Sequence, residues 1–235
     1  MTNAKGHVFA VVALFALLDS ASAAAPAATL DAWQRYAASL EQQLDRGRGA
    51  TRSASHDTVT ATGRSIPVPA GTISHWHGSV FIRGVTLDRV LTGLTNPGTP
   101  PPQADVVASR VLARDARSVR VYIRFVRHAI VTATYDTEHE MTFTRHSPAL
   151  ATARSVATRI EEVGGGDRGF LWRLHSYWRY EQQPGGVLVE LESLTLSRSV
   201  PAVVRPVAMP LVNQVARESM TRTLEALRQF FERSA

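Results

Sequence analysis

Phe170–Ser197 reads FLWRLHSYWRYEQQPGGVLVELESLTLS, and how it pairs decides what the rest of the chain can be. The even positions of its first half are Phe170, Trp172, Leu174, Ser176, Trp178 and Tyr180, and the odd ones are Leu171, Arg173, His175, Tyr177 and Arg179. Side chains alternate between the two faces of a strand, so the even set predicts the buried face. After the turn signal Gln183–Gly186, Val187, Val189 and Leu191 alternate with Leu188, Glu190 and Glu192. A hairpin closed there sets Trp178 opposite Leu191 and Arg179 opposite Glu190, apolar against apolar and opposite charges together. A slip of one residue would turn Glu190 into the core, so the register is strongly specified. Leu194 and Leu196 break the parity, and a bulge near Ser193 is the expected cause.

Working outward, other strand-like runs cover Ile73–Arg83, Val106–Arg114, Ser118–His128, Ile130–Thr144 and Ala153–Val163. With the two strands of the hairpin they make seven. A short helix is expected at Thr86–Leu94, closed by the breaker Thr95–Pro102, and a long one at Leu211–Arg233 with a stripe of Met220, Leu224, Leu227 and Phe231. A twisted antiparallel sheet of this size curls, and one helix cannot cover all of its concave face. The expectation is an α+β domain with an apolar pocket between sheet and final helix.

The N-terminal part divides differently. Lys5, the apolar run Val8–Leu18 and Ala21-Ser22-Ala23 have the pattern of a secretory signal over residues 1–25, cleaved after Ala23 or Ala25. The mature protein is then expected to be periplasmic or secreted. Residues 26–46 read as a helix with Thr29 as N-cap and Leu30, Trp33, Ala37, Leu40 and Leu44 as its apolar stripe. Residues 47–65 read as a polar linker, and 66–235 as the compact domain.

The net charge is +6, and Lys5 is the only lysine. Export sets nucleic acid aside as a partner. Arginines over a sheet surface serve solubility, or a weak contact with anionic lipid headgroups. With no cysteine, thiol catalysis, disulfides and Cys-bound metal are excluded.

Several stretches suggest chemistry. His75 and His77 have the spacing of a strand-borne metal pair, but His128, His139, His146 and His175 lie on other segments without shared spacing, and no metal is expected. With Trp76, Val80 and Ile82 inward, both histidines face solvent or the sheet's flank. Gly164–Gly169 matches a dinucleotide fingerprint, yet a strand pattern follows it where a helix is required, so no cofactor is implied. Asp136, Glu138 and Glu140, like Glu190 and Glu192, read as a solvated sheet surface.

The motifs HWHGSVFIRGVTLDRVL, FLWRLHSYWRYEQ, GGVLVELESLTLSRSVP and RESMTRTLEALRQ, dispersed over Ile66–Arg233, resemble exported bacterial members of the START / polyketide-cyclase (SRPBCC) superfamily. The resemblance implies a helix-grip fold, with a curved seven-stranded sheet around the C-terminal helix. It also implies a hydrophobic small molecule or lipid as ligand, and no catalytic signature accompanies it. On that reading Trp76, Tyr135, Phe143, Trp172, Trp178 and Leu191 line the cavity from the sheet, and Met220 and Leu224 from the helix. Ser176 and Tyr180, with Thr158 and Arg154, are its inward polar groups. A non-catalytic carrier is favoured. The alternatives are a cyclase- or hydratase-like enzyme, for which His139 is the one inward acid–base candidate, and an interaction protein of the envelope.

Overall fold

The computed structural model describes residues 24–47, 49, 57–95, 105–115, 117–128, 132–164, 171–199 and 205–233. In chain order its elements are α1 (Ala27–Arg46), β1 (Thr60–Val68), β2 (Gly71–Arg83), α2 (Leu87–Thr95) and β3 (Val106–Arg114), then β4 (Ser118–His128), β5 (Thr132–Ser147), β6 (Leu150–Glu162), β7 (Arg173–Gln183), β8 (Gly186–Arg198) and α3 (Arg205–Glu232). The eight strands form one open antiparallel sheet in the order β1-β2-β8-β7-β6-β5-β4-β3. The signal-like segment to residue 23, the Gly164–Gly169 fingerprint beyond Gly164, the breaker beyond Thr95, and Phe170 lie outside the described residues.

The sheet has eight strands where the sequence predicts seven. The additional one is β1, which begins inside the stretch read as linker and pairs along its whole length with β2 from Thr60↔Ser79 to Val68↔Gly71. Its sequence, TATGRSIPV, has no clean alternation because it is an edge strand whose outward side chains stay in water. The reversal into β2 puts Ala70 in the left-handed region at φ 52°.

The hairpin of β7 and β8 pairs as its sequence dictates, with Trp178↔Leu191 and Arg179↔Glu190. The turn is tighter than expected. Gln183 already pairs with Gly186, and Gly185 takes the positive φ of 82° that a two-residue turn requires. The expected bulge near Ser193 does not exist, since the register runs unbroken from Arg173↔Leu196 to Gln183↔Gly186. Leu194 and Leu196 simply belong to the other face, and that face is covered.

Its cover is α1. Trp33, Ala37 and Leu40 bury Ile73, Trp172, Tyr177, Leu194 and Leu196 on the face opposite α3. Thr29 does not cap the helix. Its hydroxyl donates to the Pro69 carbonyl at 2.5 Å, pinning the first turn of α1 to the β1–β2 turn, while Pro26 holds the N-cap position. The second apolar layer gathers Trp76, Val80, Ile82, Val187, Val189 and Leu191 against Met220, Leu224, Leu227 and Phe231 of α3, with α2 closing one end through Leu87 and Val90. α3 begins six residues earlier than the periodicity suggested. Pro206 stands in its first turn, where a missing N–H costs nothing, and Pro210 is accommodated inside the helix.

Candidate functional site

Two antiparallel faces give two candidate surfaces. On the α3 face the register brings Trp76, Phe143, Trp178, Tyr180, Leu191, Met220 and Leu224 into one apolar cluster, seven of the residues expected to line a cavity. Trp178 and Tyr180, two apart on β7, stack with ring centroids 6.2 Å apart. Burial pushes the Tyr180 phenol well above its ordinary range, so it acts as a neutral hydroxyl. Tyr135 shares this face but sits at its far end, its ring 5.3 Å from Phe125.

Three expected lining residues are elsewhere. Arg154 pairs with Tyr177, which puts it on the α1 face, where its Nε donates to Glu41 Oε1 at 2.9 Å. Thr158 falls at a register shift between β5 and β6 and is exposed, its hydroxyl donating to the Glu138 carbonyl at 3.2 Å. Trp172 precedes β7, so strand parity does not govern it, and it packs beneath α1. In β6 the odd positions face α3, so Arg154 turns away from it. Its neighbour Ser155 is the one that faces α3, directly opposite Ser176.

Ser155 belongs to a polar group on the α3 face that sequence reasoning did not assemble. Thr137 Oγ1 donates to the Ile123 carbonyl at 3.0 Å, so its oxygen accepts from His139 Nε2, also at 3.0 Å. His139 Nδ1 then carries the lone pair, and the Ser155 hydroxyl donates to it at 3.3 Å. Thr137, His139 and Ser155 are all buried, and desolvation lowers the His139 pKa to about 4, leaving the ring neutral near pH 7. The alternation along Thr137–His139–Met141–Phe143 places His139 on this face, but the partner on β6 depends on a bulge that leaves no mark in the sequence.

α3 lies along β2 and β1, at one side of the concave surface. Gly78 permits this approach, since a Cβ there would stand 2.7 Å from Leu224 Cδ1 and 2.9 Å from the Thr60 carbonyl oxygen. At the other side Asp105, just before β3, accepts from Arg127 of β4 at 2.5 Å and from Arg222 of α3 at 2.9 Å. Between these two attachments the floor is only half-buried: Val121 and Ile123 of β4, Met141 and Phe143 of β5, Leu174, Ser176 and Trp178 of β7. A close-packed core would bury such side chains completely. The half-buried floor is that of a groove.

The second surface is a cleft of about 450 Å³ on the α1 face, beside the C-terminal end of that helix. Its lining mixes the apolar Leu44, Ala153 and Trp178 with polar groups: Thr142, Thr144 and Thr152, the ion pair of Arg179 with Glu190 at 3.1 Å, and Glu41, which accepts the Tyr177 hydroxyl at 2.8 Å. Glu190 and Glu192, expected in solvent, are instead enclosed here. His75 and His77 meet at one carboxylate, His75 Nε2 2.7 Å and His77 Nδ1 2.9 Å from the two Glu192 oxygens. No group of three or more His, Cys, Asp or Glu side chains among the described residues is arranged to hold a metal ion. This cleft lies on the face opposite the one where the sequence led one to expect a cavity.

No family model matches the chain, and no curated protein matches it. Solved structures do. A STAR-related lipid transfer protein from Xanthomonas axonopodis superposes with a TM-score of 0.54 at 18% identity, over 77% of this chain and 97% of that one. The fold is START-like. Human STARD10 superposes with a TM-score of 0.52 at 7% identity, over 80% of this chain and 76% of that one. At such identities the likeness is one of fold, and it extends to the curled antiparallel sheet and the C-terminal helix of the SRPBCC superfamily. In this START-like chain the groove residues come from strands β4 to β8 and from α3.

Proposed function

We propose that this protein is an exported bacterial binding protein that holds a hydrophobic small molecule or lipid in the groove between the concave face of the sheet and α3. The observation that carries the reading is the half-buried floor, with Met141, Phe143, Leu174 and Trp178 left short of full burial between two fixed edges. Apolar side chains in a concave surface with a few convergent polar groups make the usual wall of a small-molecule site. The START-like fold supports it, as does a similar structure whose own name is a lipid transfer protein. Export rests on the apolar run Val8–Leu18 followed by Ala21-Ser22-Ala23.

Native mass spectrometry of the protein expressed with its own N-terminus tests both parts. The expected spectrum shows a mature chain beginning after Ala23 or Ala25, recovered from the periplasm or medium, with an apolar adduct that organic solvent removes. Substituting Met141→Trp, which fills the floor, should lower adduct occupancy severalfold while the melting transition persists. A clean apo mass, together with indifference to lipid vesicles and to hydrophobic dyes, would overturn the binding reading.

A further inference from the structure

β3 is the outermost strand on the far side of the sheet, and with β4 it makes a hairpin that carries four exposed arginines. Arg110 and Arg114 stand on β3, Arg117 lies between the strands and Arg120 is on β4. None of the four forms an ion pair among the described residues. Their neighbours in the sheet are paired: Arg124 with Asp136, Arg127 with Asp105, Arg145 with Asp88, Arg159 with Glu138. The hairpin's own acid, Asp115, is engaged by the turn, accepting from the amides of Arg117 and Ser118 at 2.8 and 2.7 Å and from the Ser118 hydroxyl at 2.6 Å. Glu140 lies opposite Arg120 without closing an ion pair. Four guanidiniums against these two carboxylates leave the hairpin positive.

Apolar side chains are interleaved with these charges. Val107 and Val111 are two of the four large apolar residues that the described chain exposes, at 59% and 37%. The pairing of β3 with β4 skips Val107 and Leu112, so both are bulged out of the ladder. Bulges blunt an edge against the addition of another strand, so this edge is not shaped to extend the sheet. Arg110 and Arg120 stand on one face of the hairpin, Val111 and Arg114 on the other, and what the two sets share is the free edge between them. A strand met edge-on in this way offers cations to phosphates and aliphatic groups to the boundary between headgroups and acyl chains. A polyanion in water would leave the valines without a role.

We propose that the free edge of the β3–β4 hairpin docks on a bilayer containing anionic phospholipid. β3 starts at the residue after Asp105, where the far lip of the sheet reaches α3 through Arg222, so a docked edge sets that lip of the groove beside the membrane. Docking requires nothing of the groove's contents, and the two readings fail separately.

The test is flotation of the mature protein with vesicles of phosphatidylcholine alone and of phosphatidylcholine mixed with phosphatidylglycerol. Binding should be confined to the mixed vesicles, and about 0.5 M salt should release most of it. Arg110→Gln with Arg114→Gln should weaken it by about fivefold for each arginine, the usual effect of a basic residue at an anionic surface. Arg35→Gln with Arg217→Gln, which removes the same charge from exposed positions of α1 and α3, should change it by less than about twofold. The chain has no cysteine, so Val111→Cys gives one site for an environment-sensitive dye. Its emission should shift to the blue on mixed vesicles and stay unchanged on polyphosphate. Equal losses from the two double variants, a dye that remains in water on fully bound protein, or no binding at low salt would each overturn the proposal. None of these results would remove the apolar adduct expected of the groove.

Discussion

Glu192 shows how one side chain acquires a task that its neighbours impose. Arg64 Nη2 donates to the Tyr36 hydroxyl at 3.1 Å, so the Tyr36 proton is directed to His75 Nδ1 at 2.8 Å, and His75 must donate through Nε2 to Glu192. His77 donates to the second carboxylate oxygen. Burial alone would raise the Glu192 pKa, but the two imidazole bonds win and hold it at about 2 against an ordinary 4.5. A carboxylate depressed on folding contributes stability above its unfolded pKa, and that contribution fades as pH falls from about 4.5 toward 2. The size is on the order of 3 kcal/mol. Urea unfolding of Glu192→Gln should therefore start from a lower stability at pH 7, and fall less than wild type between pH 5 and 3. Parallel profiles for the two proteins would show that the carboxylate does not act through this pair of bonds.

At the scale of elements, α3 is held where it is by an absence. Gly78 on β2 leaves room for Leu224 and Met220, with the Thr60 carbonyl of the neighbouring strand at the same point. In Gly78→Ala the side chains could shift, but the backbone oxygen at 2.9 Å could not do so cheaply. The substitution should cost about 1–3 kcal/mol. In a differential scan that lowers Tm by several degrees, at about 2–4 °C per kcal/mol for a domain of this size. An unchanged Tm would mean that α3 rides higher on the sheet than described. Elements with a clear period were legible from sequence, β3 and β4 to the residue and the β7–β8 register pair by pair. β1 was not, because an exposed edge strand containing Gly63 and Pro67 lacks the alternation that marks a half-buried one. Parity also tells which residues share a face without telling what covers it. His175, Tyr177 and Glu190 were sorted correctly from Trp178 and Tyr180, and still assigned to water, because nothing in their own strand announces the docking of α1. The groove was legible in the same degree. Its aromatic wall follows from alternation, whereas Ser155 and its bond to His139 depend on how β6 slips past a bulge in its pairing with β5.

For the molecule as a whole, the open sheet must close against α3 at two places, and the two closures differ in kind. The β1–β2 side is apolar and continuous, and it would not yield without unfolding. The far lip reaches α3 through Asp105, on which Arg127 and Arg222 converge. One carboxylate bridges two guanidiniums, with Glu218 a further 3.7 Å from Arg222, and the three bridged side chains retain contact with solvent. If a ligand enters the groove without global unfolding, the lip is the part that can move, since ion pairs at a surface are weak and apolar layers are not. In Asp105→Asn the two cations would face one another across the lip. Amide exchange in β3 and the adjoining end of β4 should then quicken, by about tenfold, while the amides of β2 and β8 keep their protection. Because repulsion between partly exposed charges is screened, 0.5 M salt should recover much of the lost protection. Asp105→Asn with Arg222→Gln should recover it without salt, the two changes being non-additive for residues in contact. Faster exchange spread evenly over all eight strands would assign Asp105 to general stability. Faster exchange confined to the lip, and reversed by salt, would make it the latch of the groove.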